Sequence, residues 1–287
     1  MVMKYHARSI SLPSRSHPTT IKVDEELNKL KTWEVTSTPT SDSVRTGLSL
    51  LGHVYTSLDE LLHMSSIQQA ISQHQADHCV EELLDGSLRV LDICGITRDV
   101  LLQIKENVEA LHSAVRRRKG DSSVEKSVAE YKFFTKKMKK NVKTLITDLK
   151  QMESRFGATP LLNLDDQMAS VIRVIREAIL MNVSIFQSLL AFLVMPKEAK
   201  WFVVARWMHK GTVEACEDTS EIANELKSVD SVLNSFASEG GRFEKMKIVH
   251  TRLEALEMAI EGLENDLQIV FRRLIKTRAS LLNIISQ

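Results

Sequence analysis

From Met246 to Ile284 the apolar residues fall three and four apart through successive turns. The row is Met246, Val249, Leu253, Leu256, Ile260, Leu263, Leu267, Val270, Leu274, Leu281 and Ile284, with Thr277 its one polar member. That spacing returns every side chain to one face of an α-helix, whereas a strand would send alternate members to opposite faces. A row this long dictates one long helix whose stripe must lie against other helices. Phe271, Leu282 and Ile285 widen the stripe beyond a two-stranded seam. In a parallel pair Arg252 would find Glu257, but Arg273 would meet Arg278. The pattern therefore favours a bundle formed within one chain.

The same rhythm recurs upstream. It runs from Val44 to Leu62, from Val90 to Val115, from Val124 to Phe156, from Leu164 to Phe192 and from Ile222 to Phe236. Breaks fall at Gly157–Pro160, at Pro196 and at Gly240–Gly241. Only 5% of residues are aromatic, and the 287-residue chain has just 10 Gly and 5 Pro. This composition suits helices and disfavours sheets. No strand-type alternation of useful length and no tandem repeat is visible. The expected fold is all-α: an elongated bundle of long antiparallel helices with coiled-coil-like packing. Residues 43–287 are expected to form one helical-bundle domain. Residues 1–42 read as a largely disordered tail, with the amphipathic piece DEELNKLKTW forming a short helix inside it.

Ala178 to Met195 carries no charge over 18 residues. That is the length of a short membrane span, and a bundle's central helix looks the same. Asn182, Ser184, Gln187 and Ser188 interrupt it, which favours the buried helix. Cys79, Cys94 and Cys216 are widely spaced and odd in number, so they read as thiols of a reducing compartment. The start, MVMKYHARSISLP, lacks the apolar core of a secretion signal. An intracellular, cytoplasmic protein is expected, with membrane association as the alternative and the nucleus left open.

Four blocks resemble one family. They are RSISLPSRSHP, GLSLLGHVYTSLDELLHMSSIQQA, VEELLDGSLRVLDICGITRDVLLQIKENVEALHSAVRRRKGD and YKFFTKKMKKNVKTLITDLK. Together they are similar to a plant-restricted family of unknown function that includes the BYPASS-related proteins. The joint occurrence of DGSLRVLDICG and RRRKGD is specific as an identifier. In the fourth block FFT stands where the family more often has basic residues. The resemblance spans essentially the whole chain. It implies an association with root and shoot development, and it supplies no catalytic residue, cofactor or metal.

The residues themselves offer two handles. Between Arg116 and Lys143 stand 11 Lys and Arg against 3 Asp and Glu, with Lys132, Lys136, Lys137, Lys139, Lys140 and Lys143 all off the apolar row. Such a face can be solvated, can meet acids of the same chain, or can bind anionic lipid or nucleic acid. Glu214 to Asp266, with 13 acids and 5 bases, is the matching partner within the chain, and the overall net charge of +1 argues against nucleic acid. Phe133 and Phe134 beside the lysines lean toward a membrane or a partner surface.

The second handle is Arg8-Ser9-Ile10-Ser11-Leu12-Pro13. It has the form R-S-x-S-x-P that 14-3-3 proteins bind once Ser11 is phosphorylated. The phosphate adds nearly two negative charges for an arginine cluster to clamp, and Pro13 turns the chain away. A metal site at His74, His78 and Glu82 beside Cys79 would need these residues on one helix face, and it lacks a fourth placed ligand. No nucleophile elbow, phosphate-cradling glycine loop or His-Glu-x-x-His occurs. The expected protein is therefore a non-enzymatic interaction or regulatory protein without cofactors. Peripheral membrane binding is the alternative, nucleic-acid association comes third, and self-association is left open.

Overall fold

The computed structural model describes residues 17–75, 77–117, 121–156, 161, 164–194, 224–235 and 242–286. Among them are eight helices and no strand. They are α1 (Ile21–Thr36), α2 (Ser41–Leu62), α3 (Ser65–Gln73), α4 (His78–Arg116), α5 (Asp121–Arg155), α6 (Asp166–Val194), α7 (Glu225–Ser235) and α8 (Arg242–Ile285). Three helix starts carry side-chain caps. Thr40 Oγ1 accepts from Ser43 N, Asp165 Oδ1 from Met168 N, and Asn224 Oδ1 from Lys227 N. The 44 residues of α8 make a rod of about 66 Å at about 1.5 Å per residue.

The apolar rows define the interior. Val44, Leu48, Leu51, Tyr55, Leu58 and Leu62 of α2 are all buried, as is every member of the α4 row from Val90 to Val115. In α8 the row is buried from Val249 onward. Four helices close a ring: α2 packs on α6 and α8, and α4 packs on the same two. α1 covers α2 and α6, α5 covers α4 and α6, α3 touches α2, α6 and α8, and α7 lies on α8.

Side-chain pairs show the register. Arg98 lies over the Phe271 ring, Lys105 pairs with Glu264 at 2.9 Å, and His112 meets Glu257 at 2.8 Å. Each step is seven residues forward on α4 and seven back on α8, so the two helices run antiparallel in a heptad register. α2 runs parallel to α8, since Arg45–Asp266, Gly52–Arg273 and Asp59–Lys276 rise together. Arg273 and Arg278, which would collide in a parallel dimer, point to different neighbours. Arg273 donates to the Gly52 carbonyl and contacts Thr56, and Arg278 donates to the Leu84 carbonyl and Ser87 Oγ.

The N-terminal boundary differs from the sequence expectation of a tail through Asp42. Ile21–Thr36 is a docked helix, with Val23, Leu27, Leu30 and Trp33 buried against the bundle. Its polar face is tied down as well: Arg173 of α6 holds the Asp24 carboxylate through both terminal nitrogens, at 3.0 and 3.2 Å. A bidentate pair of this kind fixes orientation as well as charge.

α6 is the core helix of the bundle. It is the one described helix long and apolar enough to cross a membrane, and 83% of that apolar window is buried inside the fold. Three of the polar residues that interrupt it bond to other helices. Asn182 Nδ2 donates to Tyr55 Oη at 2.6 Å, Ser184 Oγ to Glu34 at 2.8 Å, and Gln187 to Glu153 at 2.9 Å. Arg176 meets Glu82 at 2.6 Å. Met195 lies outside the described residues.

The Asn182–Tyr55 bond carries a prediction. Both residues are buried, and burial pushes the Tyr55 hydroxyl far above its ordinary pKa, partly offset by the Asn182 hydrogen bond. Removing one partner strands the other, while replacing both with apolar groups is close to neutral. Asn182→Leu should cost about 1–3 kcal/mol in urea unfolding. Adding Tyr55→Phe should recover most of that loss, and a purely additive double variant would disprove the coupling.

Candidate interaction site

α5 is amphipathic along its length. Val124, Tyr131, Met138, Val142, Leu149 and Met152 face inward, while Lys132, Lys136, Lys137, Lys140 and Lys143 between them are exposed. The short helix α7 lies beside α5 and leaves an open groove of about 420 Å³. Lys132, Lys136, Lys139, Lys140 and Lys143 line one wall, with Asp230 and Asn234 of α7 opposite. The sequence expectation grouped six lysines, and the fold sorts them. Lys139 Nζ pairs with Asp230 at 2.8 Å, and Lys132 Nζ donates to the Leu233 carbonyl at 3.4 Å. Lys136, Lys140 and Lys143 are exposed in the groove, while Lys137 is exposed but does not line it.

Among the described residues, the acidic segment meets this face through one ion pair, Lys139–Asp230. Three described acids of that segment are used elsewhere on α8: Asp266 holds Arg45, Glu264 holds Lys105, and Glu257 holds His112. The hydrogen bond that Lys105 donates to Glu264 raises the pKa of Lys105. Phe134 turns in against the core, but Phe133 is 74% exposed beside the lysines. Tyr131 is buried beneath this face, and its hydroxyl is pushed up by burial and by the nearby Asp230 carboxylate.

The residues considered for a metal are separated. α3 ends at Gln73 and α4 begins at His78, so His74 and His78 share no helix face. His74 Nδ1 bonds Asp77 at 2.8 Å, and Glu82 is engaged by Arg176. No group of three metal-ligating residues occurs among the described residues. Cys79 and Cys94 are buried free thiols. Burial pushes Cys94 up to about 12, with Arg98 partly opposing, and burial followed by Asp77 raises Cys79. Neither is a ready nucleophile, because the thiolate is the reactive form. Cys216 and the Arg8, Ser9, Ser11 and Pro13 motif lie outside the described residues.

One cluster escapes the sequence reading. His112 is buried between α4 and α8, bonded to Glu257 at 2.8 Å and set edge-on to His250 at 4.6 Å between ring centroids. The seven-residue register between α4 and α8 is the signal that would have paired His112 with Glu257. Beside it lies a second cleft, where Glu109 and Glu257 face Arg116 and Arg117, so its charges balance. The α5 groove differs in carrying, among the described residues, five lysines to one aspartate.

No curated protein and no solved structure matches this chain. A family model does, over residues 47–284, from the first turns of α2 to the close of α8. That span takes in the helical core and the α5 groove and leaves out α1, and with it the chain belongs to the family described as Protein BPS1, the BYPASS-related group.

Proposed function

We propose that this protein is a non-enzymatic regulator of plant root and shoot development that works by presenting surfaces to partners. The observation behind this reading is the distribution of chemical groups. Apolar rows fill the interior, the buried cysteines are protonated thiols, and the surplus positive charge is gathered on the outer face of α5. An enzyme site needs a nucleophile, base and stabiliser converging on one point. Here the polar groups inside the bundle serve to join helices, as Asn182 joins Tyr55 and Arg176 joins Glu82.

The leader motif is the second contact point in this reading. Phosphorylated Ser11, with Arg8 before it and Pro13 after it, is a ligand for a 14-3-3 groove. The full chain phosphorylated on Ser11 should bind a 14-3-3 protein with a Kd of about 1 μM or lower by calorimetry. The Ser11→Ala chain should not bind, and equal affinity of the two would remove this partner.

A further inference from the structure

We propose that the α5 groove is a membrane-docking site that takes a polyphosphorylated inositol headgroup, with Phe133 entering the lipid beside it. This rests on the reading that the protein acts through its surfaces, but it concerns a different surface from the leader motif.

Charge spacing is the first argument. Solvated helix faces usually interleave acids and bases three and four residues apart, because such neighbours touch. Around Lys136, Lys140 and Lys143 every neighbour at those spacings is a lysine or a neutral residue. Lys136 has Lys132 and Lys140, Lys140 has Lys136 and Lys143, and Lys143 has Lys139 and Lys140. Among the described residues, the only carboxylate lining the groove, Asp230, is already engaged by Lys139. Three ammonium groups one turn apart therefore face a concave surface together, an arrangement that a ligand with several phosphates relieves.

Phe133 selects the source of those phosphates. It stands seven residues before Lys140, so both lie on one ridge of α5 at the edge of the groove. A benzyl group 74% exposed beside lysines gains nothing from a free sugar phosphate in water, but it gains from burial at a bilayer interface. Nucleic acid fits less well. A long polyanion would extend past the groove, and a single aromatic offers no series of stacking platforms. The chain as a whole carries only +1, and the exposed face of α4 presents Asp85, Asp92, Asp99 and Glu106. A headgroup needs only the one basic groove.

The test is co-sedimentation of the full chain with phosphatidylcholine vesicles. One set holds about 5 mol % phosphatidylinositol bisphosphate, and another is matched in charge with phosphatidylserine. Free inositol hexakisphosphate is titrated in parallel, and competition with a single-stranded RNA is measured. The wild-type chain should bind the bisphosphate vesicles at least about tenfold more tightly than the serine-lipid vesicles, as expected of a fitted polyanion site. The combined Lys136→Glu, Lys140→Glu and Lys143→Glu variant should lose this binding, while Lys137→Glu should keep most of it. Phe133→Ser should weaken vesicle binding and leave inositol hexakisphosphate binding unchanged. The Lys→Gln set at the same three positions provides the same readout should charge reversal disturb folding. Equal sedimentation of wild type and both triple variants would overturn the proposal, as would inositol hexakisphosphate binding without vesicle binding, or a preference for RNA. Binding of Ser11-phosphorylated chain to 14-3-3 should be the same in all these variants, so the two surfaces stand or fall separately.

Discussion

Phe186→Ala is expected to lower the free energy of unfolding by about 3–5 kcal/mol, the range for deleting a fully buried aromatic ring. Phe186 has no solvent exposure and lies in α6, which is covered by α1, α2, α4 and α5. Truncation removes the transfer energy of the ring and leaves a cavity that four packed helices can only partly collapse. The measurement is urea unfolding of the purified chain, with the midpoint shifting and the slope unchanged. The result also bears on what surrounds α6. A loss below about 1 kcal/mol would mean that the ring is not held by protein on all sides, contrary to a core position.

Gly47→Leu should cost about 1–3 kcal/mol, for the opposite reason. A Cβ at position 47 would lie 2.5, 2.7 and 2.8 Å from three atoms of the Trp33 ring. The indole occupies the space that a side chain at position 47 would need, which only glycine permits. It cannot slide freely, because Nε1 donates to the Ser43 carbonyl at 2.8 Å. Leucine gains helix propensity over glycine, which offsets part of the clash. The remainder should appear as loosening of α1 from α2. Trp33→Ala in the Gly47→Leu background should then cost far less than in the wild type, measured by thermal or urea unfolding. Full additivity would show that Trp33 and Gly47 do not meet.

These two sites illustrate what the sequence discloses. Phe186 sits in a charge-free run that had to be buried somewhere, and the local pattern announced a helix. What covered it was not legible, because the polar partners are distant in sequence: Glu34 for Ser184, Tyr55 for Asn182 and Glu82 for Arg176. The α8 row was readable because a three-four spacing maintained from Met246 to Ile284 has only one structural solution. α1 was half legible. Val23, Leu27, Leu30 and Trp33 carry a helical spacing, but the polar residues around them resemble a tail. The docking of α1 depends on Gly47 and Arg173, which nothing near α1 reveals. The basic face was visible as composition, and its division was not. Lys139 and Lys132 are engaged by α7, about ninety to one hundred residues further along, and only the fold brings that helix alongside.

α8 is the mate of α2, α3, α4 and α7, and it follows all of them in the chain. During translation, then, α2 leaves the ribosome and waits through roughly 200 residues, about 10–40 s at cellular elongation rates, before its parallel neighbour exists. For that interval the leucine rows of α2 and α4 lack the surface that finally covers them. Completion of the core is necessarily a late event, because the apolar faces of α2 and α4 close only when α8 emerges.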